Sequence, residues 1–363
     1  MSPALAQATG VARSPAHTPK GAGPAAARPF LKWAGGKRQL LPALRPFYPG
    51  QFGAYFEPFV GSGAVFFDLH RLGRLDGHRT ILADTNLDVV ACYEAIQHDV
   101  APIVRHLRAL EARHAKDGEA CYYDVRDRHF NPLRRRPGAV RRHRARLAAM
   151  VIYLNRTGFN GLFRLNAAGD FNVPTGRYAH PRICDADNLR AVGHALGGGR
   201  VEVRAGSFEF VLDEARPGDF LYFDPPYAPV SPTARFTHYT SGGFGDDDQR
   251  RLQATVVELA SRGCHVLVSN SVAPIVHDLY VASGAARVAG LEVHRVPARR
   301  AINSDVGRRG AVDEFVITNI RPDRFATAAP IGGFERGGRG RVDAGTSRAP
   351  ALSPPGRRPP HRH

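Results

Sequence analysis

Leu221-Tyr222-Phe223-Asp224-Pro225-Pro226-Tyr227 is the stretch on which the reading of the whole chain turns. From Phe220 to Phe223 the residues are all apolar or aromatic, and the run stops on a carboxylate. A short apolar run closed by turn residues suits a strand buried on both faces of a sheet. Pro225 and Pro226 fix φ and bring no N–H to a neighbouring strand, so pairing ends there and Asp224 stands at the strand's carboxyl end. The same rhythm recurs elsewhere. Ala54–Glu57 is strand-like and breaks at Gly61-Ser62-Gly63, after which Ala64–Leu72 reads as a helix. Thr80–Ala83 is ended by Asp84, and His265–Ser269 stops at Asn270. Glu314–Thr318 is a last strand, paired with Arg295–Ile302 across a Gly307–Gly310 turn. Strand, tight turn and helix in repetition predict an α/β parallel sheet with an antiparallel C-terminal hairpin.

The segment from about Leu87 to Asn188 breaks the rhythm. It holds a helical stretch (Leu87–Ala112), then seven arginines between Leu133 and Leu147 around Pro137 and Gly138, then a Gly/Asn-rich region, Asn155–Tyr178. It reads as an insertion into the sheet domain. Residues 1–28 and 326–363 are rich in Pro, Gly, Ala and Arg without apolar periodicity, so both are expected to be disordered tails. The expected organisation is a sheet domain from 29–86 and 191–325, an inserted domain at 87–190, and the two tails.

Composition narrows the partners. The formal net charge of +17 over 363 residues points to a polyanion, nucleic acid above all. No apolar run approaches bilayer length and the N-terminus lacks the apolar centre of a signal peptide, which predicts a cytoplasmic protein with no membrane partner. Cys92, Cys121, Cys184 and Cys264 lie far apart with no ligand spacing, so no metal site is expected.

Three motifs carry chemistry. Glycines after a strand let a ligand approach the backbone, and Gly61 and Gly63 sit there, although an ordinary tight turn is an open alternative. Asp84 ends the next strand, where nucleotide-binding α/β folds hold ribose hydroxyls; a helix N-cap before Leu87 is the competing reading. Asp224–Tyr227 suits an exocyclic amine such as adenine N6, whose lone pair is delocalised into the ring. A carboxylate and a backbone carbonyl accepting its two hydrogens draw the nitrogen toward tetrahedral geometry and aim it at an electrophilic methyl. Tyr227 offers a face for the base.

These motifs resemble those of the Dam family of DNA adenine-N6 methyltransferases. The likeness runs through Phe30–Lys37, Glu57–Gly63, Leu82–Asn86, Asn155–Leu162, Phe171–Pro174, Asp224–Tyr239 and Arg299–Phe315. It implies a Rossmann-like fold binding S-adenosylmethionine through Trp33, Lys37, Gly61, Gly63, Asp84 and Asp224, with catalysis at Asp224, Pro225, Pro226 and Tyr227. It further implies a mostly helical target-recognition insertion that contacts double-stranded DNA, with palindromic GATC as the site, in a monomer on the bacterial nucleoid. Lys32, Phe159, Asn160, Leu162, Arg164, Pro174 and Tyr178 match positions that contact DNA, Lys32 and Arg164 by reading bases. Phe159 stands where the family has Tyr, and Thr157 replaces another aromatic. A core role for Phe159 and a phosphate contact for Arg164 are the plainer alternatives. Two rival functions are an RNA or cytosine-N4 methyltransferase and a catalytically inactive DNA-binding regulator.

Overall fold

The computed structural model describes residues 26–33, 37–230, 243–299 and 311–322. Its strands are β1 (Tyr55–Glu57), β2 (Thr80–Asp84), β3 (Val201–Ala205), β4 (Phe220–Phe223), β5 (His265–Ser271), β6 (Glu292–Arg299) and β7 (Ala311–Thr318). They form one seven-stranded sheet in the order β3-β2-β1-β4-β5-β7-β6. The first five are mutually parallel, and β7 is antiparallel to both β5 and β6. The predicted α/β architecture with its antiparallel end is thus the one observed. Most of both tails, Ala34-Gly35-Gly36, the stretch from 231 to Tyr239, and the Gly307–Gly310 turn lie outside the described residues.

The apolar runs become strands because both faces of the sheet are covered. Along β4, Phe220 and Tyr222 enter one core while Leu221 and Phe223 enter the other. The period of two is the pleat itself. On the second face lies helix α6, Asp246–Ser261, whose Leu252, Val256 and Leu259 are fully buried. Each such side chain contributes roughly 1.5–3 kcal/mol of burial. The other face is covered by α1 (Ala64–Arg71), α2 (Leu87–His98) and α5 (Ala186–Leu196). Between α2 and α5 come α3 (Val100–Tyr123) and α4 (Arg144–Thr157), whose apolar residues continue the same core.

Some boundaries differ from expectation. β5 runs on through Asn270 and Ser271, because β7 continues the ladder there with Phe315 and Glu314. β3 was not foreseen. It is the sheet's edge, its residues are only partly buried, and Glu202 and Arg204 interrupt any apolar run. Ion pairs Arg79–Glu202 (3.1 Å) and Arg204–Glu214 (2.7 Å) line that edge. No described helix is long and apolar enough to cross a membrane.

Candidate active site

The chain leaves β1 toward β2 and β3 on one side, then returns to pair β4 with the other side of β1. Such a reversal opens a crevice at the carboxyl ends of the strands, where α/β folds bind ligands. Gly61 to Gly63 follow β1 and Asp224 follows β4, so the two motifs flank that crevice.

On the β1 side, Gly61 and Gly63 have φ of +44° and +67°, the left-handed region that favours glycine. A Cβ on Gly61 would come within 2.9 Å of the Trp33 indole, so Trp33 lies directly over the loop. The indole also stacks on Phe163, with centroids 6.3 Å apart. Asp84 accepts from the Gly61 N–H (3.0 Å) and the Asn86 N–H (2.8 Å), which ties the glycine loop to the end of β2. Burial raises its carboxyl pKa despite these bonds. The cap of α2 is Asn86, whose side chain accepts from Asp88 and Val89, so the capping alternative for Asp84 falls. The Thr85 N–H also acts on the Asp84 carboxylate, which leaves one of its roughly four lone-pair sites for a further donor.

On the β4 side, Lys37 Nζ lies 2.9 Å from Asp224 Oδ1, its side chain only 4% exposed. The ammonium also lies over the Tyr227 ring, 4.3 Å from its centroid. Tyr227 donates to Glu314 Oε2 at 2.5 Å. Burial drives the Asp224 carboxyl up to about 6, Lys37 pulls it down, and Glu314 pushes it up. Beneath, Glu57 accepts from the Tyr55 hydroxyl (2.7 Å) and the Phe66 N–H (3.0 Å). Burial carries that carboxyl to about 8, hence protonated at neutral pH. Glu57 and Glu314 belong to motifs visible in the sequence, but nothing there gave them these partners.

Buried polar side chains hold the Asp224–Tyr227 turn. Gln249 on α6 donates to the Pro226 carbonyl (3.0 Å) and accepts from Asn270 Nδ2 (3.0 Å). Ser271 Oγ donates to the Ala228 carbonyl at 2.6 Å. The Pro226 carbonyl is thereby occupied, and no hydrogen bond among the described residues reaches that of Pro225. Sequence reading missed Gln249, since no local pattern marks a helix residue that reaches a distant turn.

The residues expected to touch nucleic acid gather around the loop from 158 to 175, closed by bridges Gly158–Thr175 and Leu165–Phe171. Lys32 Nζ donates to the Arg156 carbonyl (3.1 Å) and sits 3.9 Å from the Tyr178 ring centroid. Burial, then Arg156, lowers its pKa. Asn155 bonds the Lys32 backbone at both N–H and C=O, each at 2.7 Å, and donates to the Gly161 carbonyl at 2.9 Å. The N-terminal segment is thereby fastened to this loop. Phe159 is 43% exposed, which sets aside a core role. Its N–H donates to the Pro174 carbonyl (2.8 Å). Asn160 is the one described non-glycine residue with positive φ, 54°. Arg164 is exposed and bonds Asn172 Oδ1 at 2.8 Å, with no acidic partner among the described residues. Leu162 is half-buried against the core rather than projecting freely.

A parallel sheet with a glycine loop after β1, a carboxylate after β2 and an Asp-Pro-Pro-Tyr turn after β4 defines a Rossmann-like methyltransferase. More narrowly, the chain belongs to the D12 class of N6 adenine-specific DNA methyltransferases, whose sequence profile matches residues 33–302. It is 35% identical over 292 residues to the type II methyltransferase M1.LlaDCHI of Lactococcus lactis, covering 80% of this chain and 95% of that one. It is 37% identical over 303 residues to the type II methyltransferase M.MjaIII of Methanocaldococcus jannaschii, covering 80% and 99%. The DNA adenine methylase of Escherichia coli K12 is 34% identical over 294 residues, covering 80% and 94%.

Proposed function

We propose that the protein methylates adenine N6 in duplex DNA, within GATC, using S-adenosylmethionine and an adenine turned out of the helix. The observation that carries this reading is the pairing of Asp224 with buried Lys37, next to a Pro225 carbonyl that no hydrogen bond among the described residues reaches. The carboxylate and the next residue's carbonyl, both just past the end of β4, offer two acceptors for the two hydrogens of a primary amine. Lys37 keeps the carboxylate ionised, and Tyr227, fixed by Glu314, offers a ring against which a base stacks. A donor inside the duplex cannot approach N6 in line, so extrusion of the base is required.

S-adenosylmethionine supplies a methyl on a positively charged sulfur. The residues that fit it are Trp33, Lys37, Gly61, Gly63 and Asp84. Asp84 keeps an acceptor site for a ribose hydroxyl, and the missing Cβ at Gly61 lets the Trp33 indole lie against the loop, where it would flank the ligand. The segment 87–190 is assigned to target recognition, with Lys32 and Arg164 reading bases through guanine O6 and N7. Phe159, Asn160, Pro174 and Tyr178 line the surface offered to the opened stack, and Leu162, packed against the core, supports it from behind. The test is to incubate the protein with S-adenosylmethionine and a GATC-containing duplex, then digest with a nuclease blocked by N6-methylation of that site. Protection confined to GATC is expected. Methylation of a different sequence would overturn the site, and no methylation of any DNA would overturn the function.

A further inference from the structure

The seven arginines between Leu133 and Leu147 do not act alike. The short helix Asn131–Arg134 lies against the far end of the 158–175 loop. Buried Asn131 grips Phe171 from both sides, donating to its carbonyl (3.0 Å) and accepting from its N–H (2.9 Å). Arg135 pairs with Asp170 and reaches the Ala168 carbonyl at 3.3 Å. Arg134, 18% exposed, donates through Nη2 (2.6 Å) and Nε (3.2 Å) to the carboxylate of Asp88, and through Nη1 to the Gly169 carbonyl. Asp88 opens α2, with its N–H on Asn86, whose own N–H is on Asp84. One guanidinium therefore joins the cofactor side of the sheet to the tip of the loop.

We propose that Arg134, with Asp88, is a positioning residue for target discrimination: it braces the loop that carries Asn160 and Arg164 and does not itself contact DNA. Its fork is already filled by a carboxylate and a carbonyl in a planar arrangement that lysine cannot reproduce. An arginine-rich stretch suits contact with a polyanion, but Arg134 and Arg135 have internal partners. The discrimination half of the inference rests on the functional reading above; the brace does not.

The test uses Arg134→Gln, Arg134→Lys and Asp88→Asn in the full chain. Amide hydrogen exchange over residues 166–172 of the free protein is expected to quicken about tenfold in each variant. KM for target DNA should rise about tenfold with kcat nearly unchanged, and preference over duplexes altered at one base pair should fall about tenfold. The Arg134→Gln/Asp88→Asn double variant should be no worse than either single one, as for partners in one interaction. The slope of log affinity against log salt should stay that of the wild type. A slope shallower by about one, with preference intact, would make Arg134 a phosphate contact and overturn the proposal. So would wild-type behaviour of Arg134→Lys, or unchanged exchange in all variants. If the wild type methylates no DNA, the functional reading fails, and the exchange measurement still decides the brace.

Discussion

Asp224 is asked to be a carboxylate in a place that disfavours charge. Burial lifts its pKa to about 6 and Lys37 works against that rise. Accepting an N6 hydrogen requires the ionised form, so kcat/KM should fall below pH about 6, tenfold per unit. Lys37→Met should move this acid limb upward; a limb that stays in place would show that Lys37 does not govern the ionisation. Glu57 carries a larger rise, from 4.5 to about 8, caused chiefly by burial. A raised carboxyl contributes stability that is complete below its unfolded pKa and is lost as pH climbs toward the folded one. The loss is at most about 1.4 kcal/mol per pH unit. Glu57→Gln cannot ionise, so its unfolding free energy should gain on the wild type between about pH 5 and 8. Parallel curves for the two proteins would contradict the assignment.

At the scale of elements, the Asp224–Tyr227 turn is held from outside by α6. Gln249 is 2% exposed and spends both ends of its amide, one on the Pro226 carbonyl and one on Asn270. Gln249→Leu leaves that carbonyl and the Asn270 amide unpaired, at a cost of about 1–3 kcal/mol per buried group. With the turn loosened, kcat should drop about tenfold or more, while KM for DNA stays near the wild-type value. Stopped-flow single turnovers check this, and an unchanged methyl-transfer rate would reduce Gln249 to a packing role. The elements also explain what the sequence could reveal. β1, β2, β4 and β5 are legible because both faces are covered, which forces continuous apolar runs. β3 is not, because at the end of the sheet its residues are only partly buried, and Glu202 and Arg204 interrupt the apolar run.

For the molecule as a whole, the strand-end carboxylates Asp84 and Asp224 were visible because parallel sheets put function at the carboxyl ends of strands. Their partners were not. Lys37 meets Asp224, Glu314 meets Tyr227, and Arg134 meets Asp88 only after distant segments pack together, and no local periodicity encodes such meetings. Net charge pointed correctly to a polyanion, yet it could not separate arginines that face solvent from those that brace a loop. The central claim is that Asp224, gripped by Lys37, turns an adenine N6 into a methyl acceptor. The direct measurement is mass spectrometry of nucleosides from duplex DNA incubated with S-adenosylmethionine and either the wild type or Asp224→Ala. N6-methyldeoxyadenosine is expected from the wild type and a loss of about 100-fold or more in the variant, with DNA affinity within a few-fold of wild type. Product formed equally well by Asp224→Ala, or methyl found on cytosine, would contradict that claim.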